Sequence, residues 1–120
     1  MAVYDLSHRL AKMLKKSDEY KAYLEARKQV MTDEKTKEML LDFKKEQYKL
    51  QAKQFSGQEI DEDDKKRLTN LQEIVNLNNV IKKYMEAEYR VTILLNDVQE
   101  ILFGDLEIGL PQDEEKHPTD

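Results

Sequence analysis

One carboxylate, Glu88, lies where its chemistry has to be explained. It falls within an apolar run at helical spacing, four residues after Tyr84 and four before Thr92. A buried carboxylate must be paired or hydrogen-bonded, or its pKa rises. We therefore expect Glu88 to accept hydrogen bonds from another helix in a structural role, with a functional contact as the alternative. The candidate donors are Tyr20, Tyr23, Arg27 and Tyr48, and we favour the arginine or a tyrosine.

Other patterns that could support catalysis or metal binding are weak. Asp5 and His8, and again Glu114 and His117, place a carboxylate three residues before a histidine, as in di-iron bundles. The first pair lies at a helix start and the second directly precedes a proline. The three glycines are scattered and cysteine is absent, which excludes a phosphate-binding loop and thiolate ligands. The sequence predicts no catalytic residue, no metal and no cofactor, and hence no enzyme.

The long helix predicted over 79–103 must position Glu88 and its apolar neighbours. Its main apolar stripe consists of Val80, Tyr84, Ala87, Val91, Leu94, Val98 and Ile101, and a second stripe includes Ile81, Met85, Leu95 and Leu102. Steps of three and four residues keep each stripe on one side of a helix. Two adjacent stripes call for more than one covering helix. The structural or interaction candidates are Tyr84, Ala87, Glu88, Val91, Leu94, Leu95 and Val98.

Four more helices are expected before it, at 3–15, 17–32, 34–56 and 61–77. Ser17 and Asp61 have the side chains of N-caps, and Gly57 is suited to end the third helix. The cluster Asn76, Asn78 and Asn79 predicts a break before the last helix, with a continuous helix as the alternative. The expected buried residues are Val3, Leu6, Leu10, Met13 and Leu14 in the first helix, Met39, Leu40, Leu41, Phe43, Tyr48, Leu50, Ala52 and Phe55 in the third, and Leu68, Leu71, Ile74, Val75 and Leu77 in the fourth.

The predicted fold is all-α, an antiparallel bundle of four to five helices with a long C-terminal helix. We expect residues 1–105 to form a single domain and 106–120 to form a partly extended, mostly disordered acidic tail. Hydrophobic residues make up 39% of the 120-residue chain and charged residues 38%. This apolar supply is thin for long helices, so we expect a second copy to complete the core as a homodimer.

The charge balance bears on partners and location. Lys and Arg number 20 against 25 Asp and Glu, a net charge of −5, and no long basic block is present. This balance argues against direct nucleic-acid binding. No signal peptide or membrane-spanning run is recognisable in the sequence, which predicts a cytoplasmic protein without membrane insertion.

Four segments carry a resemblance to a known family: MAVYDL at 1–6, SDEY at 17–20, LQAKQFSGQEI at 50–60 and MEAEYR at 85–90. Together they resemble the YlbF/YmcA family of small helical proteins from Gram-positive bacteria, closest to its YheA-like branch. The likeness spans residues 1–105. It implies an all-α bundle that is usually a homodimer.

The resemblance also implies a class of function. The better-known members act with a third protein, YaaT, in a complex that supports competence, sporulation and biofilm formation by modulating mRNA processing by ribonuclease Y. Their iron–sulfur clusters are held by cysteines, which this chain lacks, so no cluster is carried over. The leading hypothesis is a non-enzymatic regulatory adaptor whose partners are itself and other proteins, such as RNA-processing or developmental regulators.

Two alternatives come from the residues themselves. A small enzyme would use Glu88 or nearby carboxylates, and a pocket converging on Glu88 would favour it. A weak RNA-binding module would use the lysines of the third helix, and an exposed basic surface would favour it. Those lysines are Lys44, Lys45, Lys49 and Lys53.

Overall fold

The computed structural model describes residues 1–109, which form five helices joined by short turns. The helices are α1 (Ala2–Lys16), α2 (Asp18–Met31), α3 (Glu34–Phe55), α4 (Glu62–Asn76) and α5 (Asn79–Phe103). No β-strand lies within residues 1–109. The predicted all-α class is confirmed. Leu106 and Ile108 are exposed, and the predictions for residues 110–120 lie outside the described residues.

Local capping interactions set the ends of these helices. The Ser17 hydroxyl accepts a hydrogen bond from the backbone N–H of Tyr20 at 3.2 Å, which starts α2. Asp61 starts α4 through a capping box, in which its carboxylate accepts from the N–H of Asp64 at 2.8 Å and the Asp64 carboxylate accepts from the N–H of Asp61. Gly57 has φ +81°, a left-handed conformation that terminates the turn after α3.

Asn78 separates α4 from α5. Its side-chain oxygen accepts hydrogen bonds from the backbone N–H groups of Val80 at 3.0 Å and Ile81 at 3.1 Å. An asparagine that caps a new helix in this way cannot also continue the previous one. The predicted break is therefore confirmed, and the continuous helix is wrong.

The core lies where α2, α3, α4 and α5 meet. We call it the four-helix junction, and its buried members are Val30, Leu40, Phe43, Val75, Ile81 and Tyr84. Ile81 is fully buried at 0% exposure. Helices α2 and α5 run antiparallel along their most extensive contact, since Val30 packs beside Ile81 at one end and Tyr20 lies beside Val91 at the other.

The helices leave the four-helix junction as an open arrangement. Helices α3 and α4 form a hairpin that is closed by two ion pairs between them, Lys53 with Asp64 and Arg67 with Glu46. The radius of gyration is 18.9 Å and the molecule measures 48 × 38 × 19 Å. A compact chain of this length has a radius of gyration of about 14 Å. The chain is therefore extended and leaves much of its surface uncovered.

Several residues expected in the core are exposed instead. Helix α1 contributes no buried residue, and within the described residues its backbone comes close only to that of α2. Phe55 lies twelve residues after the buried Phe43, which places it about 120° away around α3. Leu77 follows the last residue of α4. The expected core residues found exposed are Val3, Leu6, Met13, Leu41, Tyr48, Ala52, Phe55, Ile74 and Leu77.

Candidate interaction surface

Glu88 joins three helices through hydrogen bonds. Lys44 of α3 donates to both carboxylate oxygens at 2.6 Å, and the Tyr84 hydroxyl donates to Oε2 at 3.0 Å. The hydroxyl of Tyr23, on α2, lies 3.5 Å from that of Tyr84. We call these four residues the Glu88 cluster.

The expected donor to Glu88 is corrected by this geometry. The donor from another helix is a lysine, not Arg27 or one of the tyrosines of earlier helices. Arg27 is exposed and so is Tyr48. Tyr23 takes part only through Tyr84. The expectation that Glu88 is hydrogen-bonded from another helix agrees with this geometry, but helix spacing did not indicate which helix supplies the cation.

The electrostatics of the Glu88 cluster keep its tyrosine neutral. Burial raises the pKa of the Tyr84 hydroxyl, and its hydrogen bonds with Tyr23 and Glu88 raise it further. A neutral hydroxyl can donate to the carboxylate, as found. The Lys44 ammonium also lies 5.6 Å from the centroid of the Tyr84 ring, within cation–π distance. The Glu88 side chain is 30% exposed, so solvent reaches the edge of the cluster.

An apolar groove lies one to two helical turns further along α5. Its volume is about 160 Å³, and its lining residues are Leu14, Lys15, Tyr20, Val91, Leu94 and Leu95. Val91 is buried and Leu94 is partly buried, whereas Leu95 is exposed. The groove is therefore formed where the C-terminal end of α1 meets α2 and the middle of α5.

Exposed apolar side chains continue along both helices from this groove. We call these residues and the groove the α1/α5 surface: Val3, Tyr4, Leu6 and Met13 on α1, and Ile101, Leu102 and Phe103 on α5, are all exposed. Many large apolar side chains exposed in one region are typical of interaction sites in soluble proteins.

The structure divides the predicted site residues between two environments. Tyr84, Ala87 and Val91 are buried, Glu88, Leu94 and Val98 are partly buried, and Leu95 is exposed. Two of them, Tyr84 and Glu88, belong to the Glu88 cluster, and three others line the groove. Sequence reasoning missed Lys44, Lys15 and Tyr20 as members of these sites. The apolar stripe of α1 was the signal for Leu14, but it was assigned to the core.

Within residues 1–109 no three His, Cys, Asp or Glu side chains are grouped to hold a metal ion. The pair Glu114 and His117 lies outside that range. Among the five helices, none is long and apolar enough to cross a membrane.

Comparison with known proteins identifies the family of this chain. Residues 3–107 match the family model described as control of competence regulator ComK, YlbF/YmcA. A UPF0342 protein of Halothermothrix orenii is 51% identical over 114 residues, covering 95% of this chain and 97% of that protein. A UPF0342 protein of Caldicellulosiruptor bescii is 36% identical over 105 residues, 88% of each chain.

A solved structure has the same fold. It is a protein of unknown function (DUF964) from Bacillus stearothermophilus, with a TM-score of 0.74 and 20% identity over the whole of both chains. At this identity the likeness concerns the fold alone.

Proposed function

The chain belongs to the YlbF/YmcA family, and from that premise we propose that it is a non-enzymatic regulatory adaptor that works as a homodimer. Its proposed role is in the control of competence or of related developmental decisions, through contacts with other proteins of regulation or mRNA processing. The family description supports the regulatory part, since it refers to control of the competence regulator ComK.

The observation that carries the homodimer is the exposed α1/α5 surface. Helix α1 has an apolar face but no buried residue, and Leu95, Leu102 and Phe103 are all about half exposed on α5. Leaving so much apolar area in water is unfavourable at about 25 cal/mol per Å². A second copy placed against this surface would cover both helices. Stable interfaces of this kind bury more than about 1,000 Å² in total.

The open shape of the chain supports the same proposal. A radius of gyration of 18.9 Å leaves α1 and the second half of α5 with few neighbours. Helices gain most of their stability from packing an apolar face, not from helix propensity. A partner copy would supply that packing.

The state of Glu88 favours an adaptor over a carboxylate enzyme. Both carboxylate oxygens accept from the Lys44 ammonium, and Oε2 also accepts from Tyr84. A general base needs a free oxygen within hydrogen-bond reach of a substrate. The two bonds from Lys44 instead tie α3 to α5, which is a structural task.

The mass of the protein in solution tests the homodimer. We expect light scattering to give twice the 14.2 kDa of one chain at tens of micromolar. Leu95→Glu places a carboxylate in the groove and should shift the protein towards the monomer. Leu77→Glu is the matched control, because Leu77 is exposed after the end of α4 and should leave the mass unchanged.

The adaptor role is tested in the native cell with the wild type and the Leu77→Glu variant. Affinity purification of the wild type should recover a defined set of regulatory or RNA-processing proteins, and Leu77→Glu should recover the same set. A wild-type chain that is monomeric at tens of micromolar would contradict the homodimer. Recovery of no partner would contradict the adaptor.

A further inference from the structure

The outward side of α3 carries an apolar stripe that the described chain leaves uncovered. We call Leu41, Tyr48, Ala52 and Phe55 the α3 stripe; they follow one another at intervals of seven, four and three residues. At about 100° per residue they fall within an arc of about 60° on one side of the helix. Tyr48 is 73% exposed and Phe55 is 97% exposed. From Tyr48 to Phe55 these side chains form an apolar ridge in water.

Lysines border the α3 stripe. Residues 44–55 contain Lys44, Lys45, Lys49 and Lys53 but only one acid, Glu46. Glu46 does not offset them at the stripe, because its side chain is only 12% exposed and faces Arg67 of α4 at 3.7 Å. Beside Tyr48, Ala52 and Phe55 the edge of the α3 stripe is therefore positive, in a chain whose net charge is −5; the exposed acids Glu38 and Asp42 lie near the Leu41 end of the stripe.

Two of these lysines are available to a partner. Lys44 is bound to Glu88 and Lys53 to Asp64. Lys45 and Lys49 are exposed, and neither takes part in an ion pair within residues 1–109. Both lie on the same flank of the α3 stripe, at about 40° and 80° from Leu41 around the helix.

We propose that the α3 stripe binds an acidic amphipathic helix of a partner protein. The partner's apolar residues, spaced by three and four, pack along Tyr48 and Phe55, and its Asp or Glu side chains face Lys45 and Lys49. The inference rests on the proposed adaptor function and deepens it. An adaptor needs a surface for its partner in addition to the α1/α5 surface that we assign to self-association.

Charge argues against a second copy on the α3 stripe. In a two-fold contact the same patch is used by both subunits. Two α3 stripes packed antiparallel in this way would bring Lys45 and Lys49 towards their own equivalents, and like charges placed together are repulsive. An acidic helix meets the same lysines with the opposite charge.

The number of free cations argues against RNA. Binding a phosphate backbone releases counterions in proportion to the number of phosphates neutralised, so strong binding needs several unpaired Lys or Arg. Here Lys45 and Lys49 are the two that the ion pairs with Glu88 and Asp64 leave over. The spacing of the apolar residues, in contrast, fits a packed helix.

Binding of two defined peptides to the full chain tests the proposal. The first is a fluorescent 20-residue helical peptide with leucines spaced by three and four and glutamates at the flanking positions; the second has lysine in place of each glutamate. We expect the glutamate peptide to raise its fluorescence anisotropy with the wild-type protein and the lysine peptide to show no binding. Added salt should weaken the binding of the glutamate peptide.

Substitutions of exposed residues test whether the peptide binds at the α3 stripe. The pair Tyr48→Ser and Phe55→Ser should weaken binding tenfold or more, since aromatic side chains dominate the energy of such contacts. The pair Lys45→Glu and Lys49→Glu should reverse the preference between the two peptides. The matched controls are Leu77→Ser, on the turn after α4, and Lys82→Glu, on α5, which should leave binding unchanged. Helicity by circular dichroism confirms that each variant is folded.

Several outcomes would overturn the proposal. They are no binding of the glutamate peptide, equal binding of both peptides, and binding of the glutamate peptide that the α3 variants leave unchanged. Binding of a single-stranded oligouridine that is lost in Lys45→Glu, Lys49→Glu would make the face an RNA surface. Loss of the dimer in Tyr48→Ser, Phe55→Ser would assign the face to a second copy.

The two proposals fail in distinguishable ways. A monomeric wild type that still binds the glutamate peptide would refute self-association through the α1/α5 surface and leave the α3 stripe as a binding site. A dimeric wild type that does not bind the glutamate peptide would refute the α3 stripe as a binding site and leave self-association in place.

Discussion

Helix α5 contains two isoleucines with opposite environments. Ile81, near its start, is fully buried among side chains of the four-helix junction, whereas Ile101, near its end, is 79% exposed. Both belong to apolar stripes with the same spacing. The difference lies in the neighbours, since four helices meet around Ile81 and only α1 and α2 approach the second half of α5. An apolar stripe therefore shows that a face requires cover, and the number of nearby helices decides whether its own chain provides it.

The largest expected effect is that of Ile81→Ala, which is compared with Ile101→Ala. Ile81→Ala removes a side chain that the four-helix junction encloses, and should lower the free energy of unfolding by ~2–5 kcal/mol because it leaves a cavity. Ile101→Ala should change it by less than about 0.5 kcal/mol in dilute protein. Urea unfolding of both variants measures the difference. Equal losses would show that the two ends of α5 are packed alike.

A substitution in the groove should depend on protein concentration. Leu94 is partly buried in one chain, so Leu94→Ala should cost ~1–2 kcal/mol in dilute protein, below the range for fully buried leucines. The cost should grow as the wild type dimerises, because association stabilises the folded state by mass action. Thermal unfolding at low and high concentration measures this, with Lys83→Ala, at an exposed position about three turns before Leu94 on α5, as the control. A cost that is the same at both concentrations would remove Leu94 from the interface.

The Glu88 cluster should contribute less than the apolar junction beside it. Glu88→Ala and Lys44→Ala should each cost about 1 kcal/mol, because both side chains are about one-third exposed and solvent weakens the pair. In a double-mutant cycle the two losses should not add, since they remove the same interaction. A stable Glu88→Ala protein that had lost partner binding would instead make Glu88 a functional residue.

The smallest effect is expected from pH, and it concerns the α3–α4 hairpin, away from both ends of α5. The hydrogen bond from Lys53 lowers the pKa of Asp64 below its ordinary value of 3.8, and the backbone N–H of Asp61 and the charge of Arg67 act in the same direction. Because the pKa of Asp64 is lowered on folding, its charge stabilises the folded state at pH values above the ordinary pKa. This stabilisation is lost as the pH falls through the lower pKa of the folded state.

Melting temperatures of the wild type and Asp64→Asn between pH 7 and pH 2 test this dependence. The Asp64 contribution should be constant from pH 7 to about pH 5. The difference between the two proteins should shrink below pH 4, because protonated Asp64 no longer attracts Lys53. A difference that stays constant down to pH 2 would contradict the assigned ion pair.

The parts of the fold that local chemistry controls were predictable from the sequence. Ser17, Asp61 and Asn78 cap their own helices, so their neighbours in the chain reveal them. Phe55 was misassigned because aromatic character predicted burial, while its angle from Phe43 on α3 puts it on the outer side. Residue type and helical angle have to be considered together.

The candidate sites depend on distant residues and were predicted only in part. The apolar surroundings of Glu88 indicated that it needs a donor, but Lys44 is 44 positions away and is brought close only by the crossing of α3 and α5. Likewise the groove needs Leu14 and Tyr20 beside Val91. No periodicity in the sequence encodes the angle at which two helices cross.

The cap at Asn78 has a consequence for the far end of α5. While Asn78 Oδ1 binds the first N–H groups of α5, its Nδ2 lies 4.0 Å from the Met39 sulfur of α3. One residue thus fixes both where α5 begins and how it is turned relative to its neighbour. In a continuous helix each side chain keeps a fixed azimuth relative to the first turn, so one residue inserted after Ile81 would rotate everything beyond it by about 100°. Leu94 and Leu95 would then leave the groove, although neither they nor their immediate neighbours had changed.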